Sequence, residues 1–109
     1  MDWRLRNDGG RLVAAPTGRV DEESWKDFSK HLNAAVHDAE DAKVPLVIDL
    51  SGLEYMTSKG LRALTLAKNE AGGAVAIRLA APNATMRRIL SISRYDMLFP
   101  VVDDVDSEI

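Results

Sequence analysis

The feature that most constrains the fold of this chain is a short, nearly continuous apolar run, Pro45-Leu46-Val47-Ile48-Asp49-Leu50. A run of this kind is typical of a strand that is covered on both of its faces. We therefore predict that it forms the central strand of a sheet. No apolar run in the chain approaches the roughly 18 residues that a membrane span requires, so we expect no membrane-spanning segment.

Strand and helix patterns alternate around this run. Charged and apolar residues alternate from Trp3 to Arg6, and Asn7-Asp8-Gly9-Gly10 then has strong turn chemistry before an extended pattern resumes over 11–15, which predicts a β-hairpin. Two further strands are predicted at 74–81 and 98–102. The acidic end, 103–109, is interpreted as a place where a further helix could begin.

Three amphipathic helices are predicted from apolar residues that recur at helical spacing. Asp21 or Ser24 is expected to cap the first helix, Asn83 the third, and Gly72-Gly73 to close the second. The predicted inward faces are Trp25, Phe28, Leu32, Ala35, Val36 and Ala39; Leu61, Leu64, Ala67 and Ala71; and Met86, Ile89, Leu90 and Ser93. The predicted order is β-β-α-β-α-β-α-β, an α/β fold with a mixed sheet and helices mainly on one face.

Composition narrows the function classes. The 109 residues are expected to form one domain, and 46% apolar residues can fill a single core. A formal charge of −3 without a Lys/Arg run argues against nucleic-acid binding. The chain has no cysteine, so thiol chemistry and cysteine-bound metals are excluded, and no cofactor is expected. Residues 1–11 lack the apolar core of a secretory signal, and we expect a cytoplasmic protein.

An enzyme is the less favoured class. His31 and His37 are the only histidines, and six residues on one helix place them about 240° apart around its axis, so they cannot form one site. The residues around Ser58 do not form the G-x-S-x-G elbow of a serine hydrolase. No histidine or carboxylate grouping has metal-ligand spacing, and no phosphate-binding glycine loop is present.

Two segments carry a family resemblance. Asp49 to Arg62 reads D-L-S-G-L-E-Y-M-T-S-K-G-L-R, and Thr17 to Asp21 reads T-G-R-V-D. Both resemble the signature segments of STAS domains of the anti-sigma-factor antagonist family, at the family's usual spacing and with matching element order. This resemblance implies a small module that binds an anti-sigma factor with serine-kinase activity and thereby releases a sigma factor. A serine phosphatase is a further implied partner.

The resemblance also assigns residues. It implies that the kinase phosphorylates Ser58 and so switches the module off. Thr57 stands where the family usually has aspartate, and Lys59 where it has serine or threonine. These departures leave open an alternative, in which the chain is a STAS-type accessory subunit of a larger assembly and is never phosphorylated.

The residues themselves give Ser58 two interpretations. A serine at a helix start is commonly only an N-cap. A phosphate there would instead meet free N–H groups and the positive end of the helix dipole, with Lys59 and Arg62 near enough to pair with it. The expected partner-binding residues are Asp21, Tyr55, Met56, Thr57, Lys59, Gly60, Arg62, Thr65, Leu66 and Asn69. Of these, Arg62, Thr65, Leu66 and Asn69 are predicted to share one outward face of the second helix with Ser58, at the spacing i, i+4, i+7, i+8 and i+11. Asp21 could be no more than a cap, and one of Tyr55 and Met56 is expected to be a buried anchor.

Overall fold

The computed structural model describes residues 1–106. These residues form six strands, three α-helices and one 3-10 turn. The strands are β1 (Asp2–Asn7), β2 (Leu12–Val20), β3 (Leu46–Asp49), β4 (Leu53–Met56), β5 (Ile77–Ala80) and β6 (Val101–Val102). The helices are α1 (Trp25–Ala42), α2 (Ser58–Ala71) and α3 (Ala84–Ile92), and the 3-10 turn is Tyr95–Met97.

The apolar run forms the central strand, as predicted. The sheet order is β1-β2-β3-β5-β6, with β1 antiparallel to β2 and the remaining pairs parallel. In β3, Leu46 and Ile48 belong to the main core, whereas Val47 packs in a smaller cluster with Val13 and Ala80. The strand is therefore covered on both faces, which explains its nearly continuous apolar sequence.

The predicted fold class is confirmed, and the structure adds one strand to the predicted order. Residues 53–56, which fall outside every predicted strand and helix, form β4 beside the distal half of β2, where Gly18 lies opposite Leu53 and Val20 opposite Met56. Because of this pairing, β2 continues past Ala15, where the predicted strand ends, to Val20. Strand β4 has only four residues, with Leu53 and Met56 buried and one exposed side chain between them. It is too short to show a clear alternating pattern in the sequence.

Helices α1, α2 and α3 all contribute to one core on the same side of the sheet. In α1, the predicted inward residues Phe28, Leu32, Ala35, Val36 and Ala39 are at most 1% exposed. In α2, Leu64, Ala67 and Ala71 are buried as predicted, whereas Leu61 is only half-buried and Gly60 and Ala63 join the buried face. Within residues 1–106, no helix is long and apolar enough to cross a membrane.

The C-terminal third differs most from the predicted pattern. Strands β5 and β6 are shorter than predicted, and the 3-10 turn precedes β6. Residues 103–106 are not helical, and the rest of the predicted terminal helix, 107–109, lies outside the described residues. The Arg11 guanidinium donates to the Val105 carbonyl and pairs with Asp106 at 2.6 Å. These contacts hold the segment after β6 close to the start of β2.

Candidate functional site

Ser58 is the first residue of α2 and is exposed. The N-cap is Thr57, with extended backbone angles, so Ser58 itself is not the cap. The Ser58 hydroxyl has no hydrogen-bond partner among residues 1–106. Ser58 therefore presents a free hydroxyl next to the unpaired N–H groups of the first helical turn.

Two close contacts hold the start of α2 against the ends of β2 and β4. The Thr57 N–H donates to the Val20 carbonyl at 2.9 Å. Gly60 lies directly on the strands, because a Cβ atom built there would come within 2.9 Å of both the Met56 Cβ and the Val20 Cγ1. Of the predicted site residues, Met56 and Gly60 are buried beneath Ser58. Both residues pack in the core at the start of α2 and are not exposed on the surface of the site.

An open groove of about 790 Å³ runs along the outer face of α2. Ser58, Arg62, Thr65 and Leu66, four of the five residues predicted to share this face, line the groove, and Asn69 lies exposed one turn beyond Leu66. The complete lining is Trp25, Ser58, Lys59, Arg62, Thr65, Leu66 and Tyr95.

Two aromatic residues that are not among the predicted site residues, Trp25 and Tyr95, line the groove. Trp25 has the spacing of the α1 core face, but as the first helical residue it is only half-buried and reaches the groove. Tyr95 comes from the 3-10 turn, and its hydroxyl shares a 2.6 Å hydrogen bond with the Thr65 hydroxyl. Its ring stacks on Phe99, with ring centroids 6.4 Å apart. Only the tertiary fold brings Tyr95 to α2, and no local pattern could have indicated it.

Lys59, in the first turn of α2, contacts two residues at and just before the start of α1. Its Nζ lies 3.5 Å from a Glu22 carboxylate oxygen and 5.1 Å from the centroid of the Trp25 ring. The Arg62 guanidinium, one turn further along α2, forms no ion pair within the described part of the chain. The mouth of the groove is therefore locally basic, although the chain as a whole carries a net negative charge.

Asp21 lies in the turn between β2 and α1. Its carboxylate accepts hydrogen bonds from the backbone N–H groups of Glu23 and Ser24, at 3.0 and 3.1 Å, and pairs with Arg19 at 3.2 Å. These interactions, the Glu23 hydrogen bond first, lower the pKa of Asp21. Asp21 thus caps the turn that leads into α1, and it directly follows Val20, which binds the Thr57 N–H.

Three predicted residues lie at the edge of this arrangement. Tyr55 is half-buried in β4 and does not line the groove. The Thr57 hydroxyl is buried and has no hydrogen-bond partner within residues 1–106, so the N-cap side chain leaves the helix start uncapped. Asn69 is exposed on α2, outside the groove lining.

The histidines lie away from Ser58. The His31 ring stacks on Trp3 of β1, with centroids 5.2 Å apart, and His37 contacts Glu70 at 3.0 Å. Neither histidine lines the groove. Within residues 1–106, no cluster of three histidine or carboxylate side chains could hold a metal ion. The site is an open groove with the exposed hydroxyl of Ser58 in its lining.

The structure defines a small α/β domain with a mixed sheet and an exposed serine at the start of a helix. The family model described as "Mlab, STAS domain" matches residues 3–102. The chain therefore belongs to the STAS domain family, and the resemblance predicted from the two motifs is confirmed. No curated protein sequence matches the chain.

Solved structures with the same fold include several anti-sigma factor antagonists. The antagonist from Mycobacterium paratuberculosis is 25% identical, with a TM-score of 0.85 over 96% of this chain and 87% of that one. An antagonist (STAS) domain protein from Planctomyces limnophilus is 18% identical, with a TM-score of 0.82 over 94% and 90%. The Bacillus cell fate determinant SpoIIAA in its phosphorylated form is 18% identical, with a TM-score of 0.65 over 92% and 90%.

Proposed function

We propose that this chain is an anti-sigma-factor antagonist that binds an anti-sigma factor with serine-kinase activity and so releases the sigma factor. Phosphorylation of Ser58 by that kinase switches binding off, and a serine phosphatase restores it. We take residues 1–109 as one STAS domain that acts in the cytoplasm as a binding module and not as an enzyme. Its contact surface is the groove along α2 together with the turn at Asp21.

The observation that carries this proposal is the free, exposed hydroxyl of Ser58 at the first position of α2. A kinase must bring the γ-phosphate of ATP into line with its acceptor oxygen, so the acceptor has to be accessible. Ser58 meets this requirement, because its side chain is neither buried nor used as a cap. The similarity to the Mycobacterium paratuberculosis antagonist, at 25% identity, supports the general function of an anti-sigma factor antagonist.

The position of Ser58 also explains how a modified module could stay folded. A phosphate adds about 1.5–2 negative charges at neutral pH. At the start of α2 these charges meet unpaired N–H groups and the positive end of the helix dipole, which stabilise an anion. The same charges would have to lose their hydration in a tight interface, which costs about 2–5 kcal/mol when they are left unpaired. Binding should therefore fail while the fold survives.

The test is mass spectrometry of the protein isolated from its native cytoplasm. The proposal expects a fraction of the protein to be about 80 Da heavier, with the added mass on Ser58. Incubation with ATP and the kinase captured on the unmodified protein should raise that fraction, and Ser58→Ala serves as the matched control. Phosphate found only on another residue would contradict the proposal.

An accessory subunit of a larger assembly is the alternative. One observation favours it: Thr57 and Lys59 replace the usual residues on either side of Ser58. This alternative expects unmodified protein in a stable complex that contains neither a serine kinase nor a sigma factor. Co-purification from the native cytoplasm distinguishes the two functions.

A further inference from the structure

We infer that the α2 groove binds an acidic segment of its partner protein, and that this segment carries an aliphatic or aromatic side chain. The inference deepens the proposed function, on which it rests only for the identity of the partner. It concerns the charge and shape of whatever binds the groove. The seven lining residues and their contacts support it.

The charge of the groove determines the charge that a bound segment should carry. Its lining contains two cations, Lys59 and Arg62, and no carboxylate. Arg62 has no ion pair within residues 1–106. Lys59 has one at 3.5 Å with Glu22 at the rim, and the two side chains are 46% and 69% exposed. An ion pair this exposed contributes little to stability, so a carboxylate from a partner can replace Glu22 at small cost.

The apolar part of the groove determines which side chain a bound segment should carry besides its carboxylates. Leu66 is 42% exposed, and the rings of Trp25 and Tyr95 line the same space. The Tyr95 ring is held by its hydrogen bond to Thr65 and by stacking on Phe99, so little side-chain entropy remains to be lost when a partner binds. Rigid aromatic side chains beside charged groups are the residues that usually anchor interfaces. An occupant with carboxylates alone would leave this apolar surface uncovered.

The two requirements together give phosphorylation a direct physical effect on binding. Ser58 lines the same groove as Lys59 and Arg62. A phosphate on Ser58 would pair with these cations and would repel incoming carboxylates. The phosphoserine would thus compete, within the same molecule, for the charges that the partner needs. Lys59, where the family usually has serine or threonine, strengthens this competition.

The test uses a defined probe, an acetylated and amidated hexapeptide in which leucine and phenylalanine lie between two pairs of glutamates. Its binding is followed by the amide shifts of the ¹⁵N-labelled protein. We expect millimolar peptide to shift the amides of 58–66 and of Tyr95 and few others. A peptide with lysines in place of the glutamates should cause no such shifts, and inorganic phosphate at equal concentration should cause smaller ones. No shifts with the acidic peptide, or equal shifts with either control, would overturn the inference.

Reversing the charge of single residues on α2 shows whether the peptide binds in the groove. Arg62→Glu should weaken peptide binding at least about threefold, because it removes one ion pair and adds repulsion. Lys68→Glu is the matched control, since Lys68 is an exposed cation of the same helix outside the groove lining, and it should leave binding unchanged. A smaller effect of Arg62→Glu, or an equal effect of Lys68→Glu, would refute the inference. Absence of phosphate on Ser58 in the native protein would refute the proposed function but leave this result intact.

Discussion

Gly60 offers a sharp test of how α2 is seated on the sheet. A methyl group in Gly60→Ala would lie 2.9 Å from the Met56 Cβ and 2.9 Å from the Val20 Cγ1, which is closer than carbon atoms approach in proteins. Neither atom is the free end of a flexible side chain, so the helix start or the strand ends must shift. Overpacking of this kind costs about 1–3 kcal/mol. The better helix propensity of alanine returns roughly 0.5–1 kcal/mol.

The midpoints of these two ranges give a net loss of about 1 kcal/mol in the free energy of unfolding of Gly60→Ala. For a domain near 100 residues this lowers the thermal midpoint by roughly 4–8 °C. Urea unfolding and thermal scans of the variant and the wild-type protein measure the loss. Gly73→Ala is the control, because a Cβ atom there would have no neighbour within 4 Å. If Gly60→Ala proved as stable as the wild type, the close packing of α2 against β2 and β4 at Gly60 would be refuted.

The remaining predictions concern the core, the switch and acid stability. Phe28→Ala or Leu64→Ala should lower the free energy of unfolding by about 2–5 kcal/mol, since both side chains are 0% exposed, and a loss below ~1 kcal/mol in urea would contradict this. Ser58→Glu should keep its thermal midpoint within a few degrees yet lose the kinase in calorimetric titration, whereas Ser58→Ala should bind; equal affinity of wild type and Ser58→Glu would refute the switch. Thr57→Asp should leave the fold intact and change the phosphorylation rate. Folding lowers the pKa of Asp21, so the ionised carboxylate stabilises the fold fully above the ordinary pKa of aspartate, and this stabilisation is lost as pH falls through the lowered pKa of the folded state. The difference in free energy of unfolding between wild type and Asp21→Asn should therefore shrink in acid. A difference that stays constant with pH would contradict this prediction.

The sequence predicts those parts of the fold in which one strong pattern spans an element. The α1 face shows this, because its five buried residues keep helical spacing over three turns. The β3 run shows it as well, since a strand buried on both faces must be apolar almost throughout. The sequence does not predict strand β4, because its four residues pair with the distal half of β2 only in the folded chain.

The same limit applies to the site. The sequence predicts that Ser58, Arg62, Thr65 and Leu66 share one face, because they lie on one helix with a known period, and all four line the groove. Tyr95 could not be placed, since it reaches the groove from a 3-10 turn 30 positions beyond Thr65. The burial of Met56 and Gly60 follows from contact between β4, β2 and α2, which is a tertiary relation.

The two tryptophans of the chain lie in different surroundings, and this gives the molecule an internal optical reporter. Trp25 lies in the groove with the Lys59 ammonium over its ring, whereas Trp3 stacks on His31 at the edge strand β1. An occupant that draws Lys59 away from the ring changes the electric field and the hydration around the Trp25 indole. The tryptophan emission of a Trp3→Phe protein then comes from Trp25 alone. Such a protein would let groove occupancy be followed in solution without an added dye.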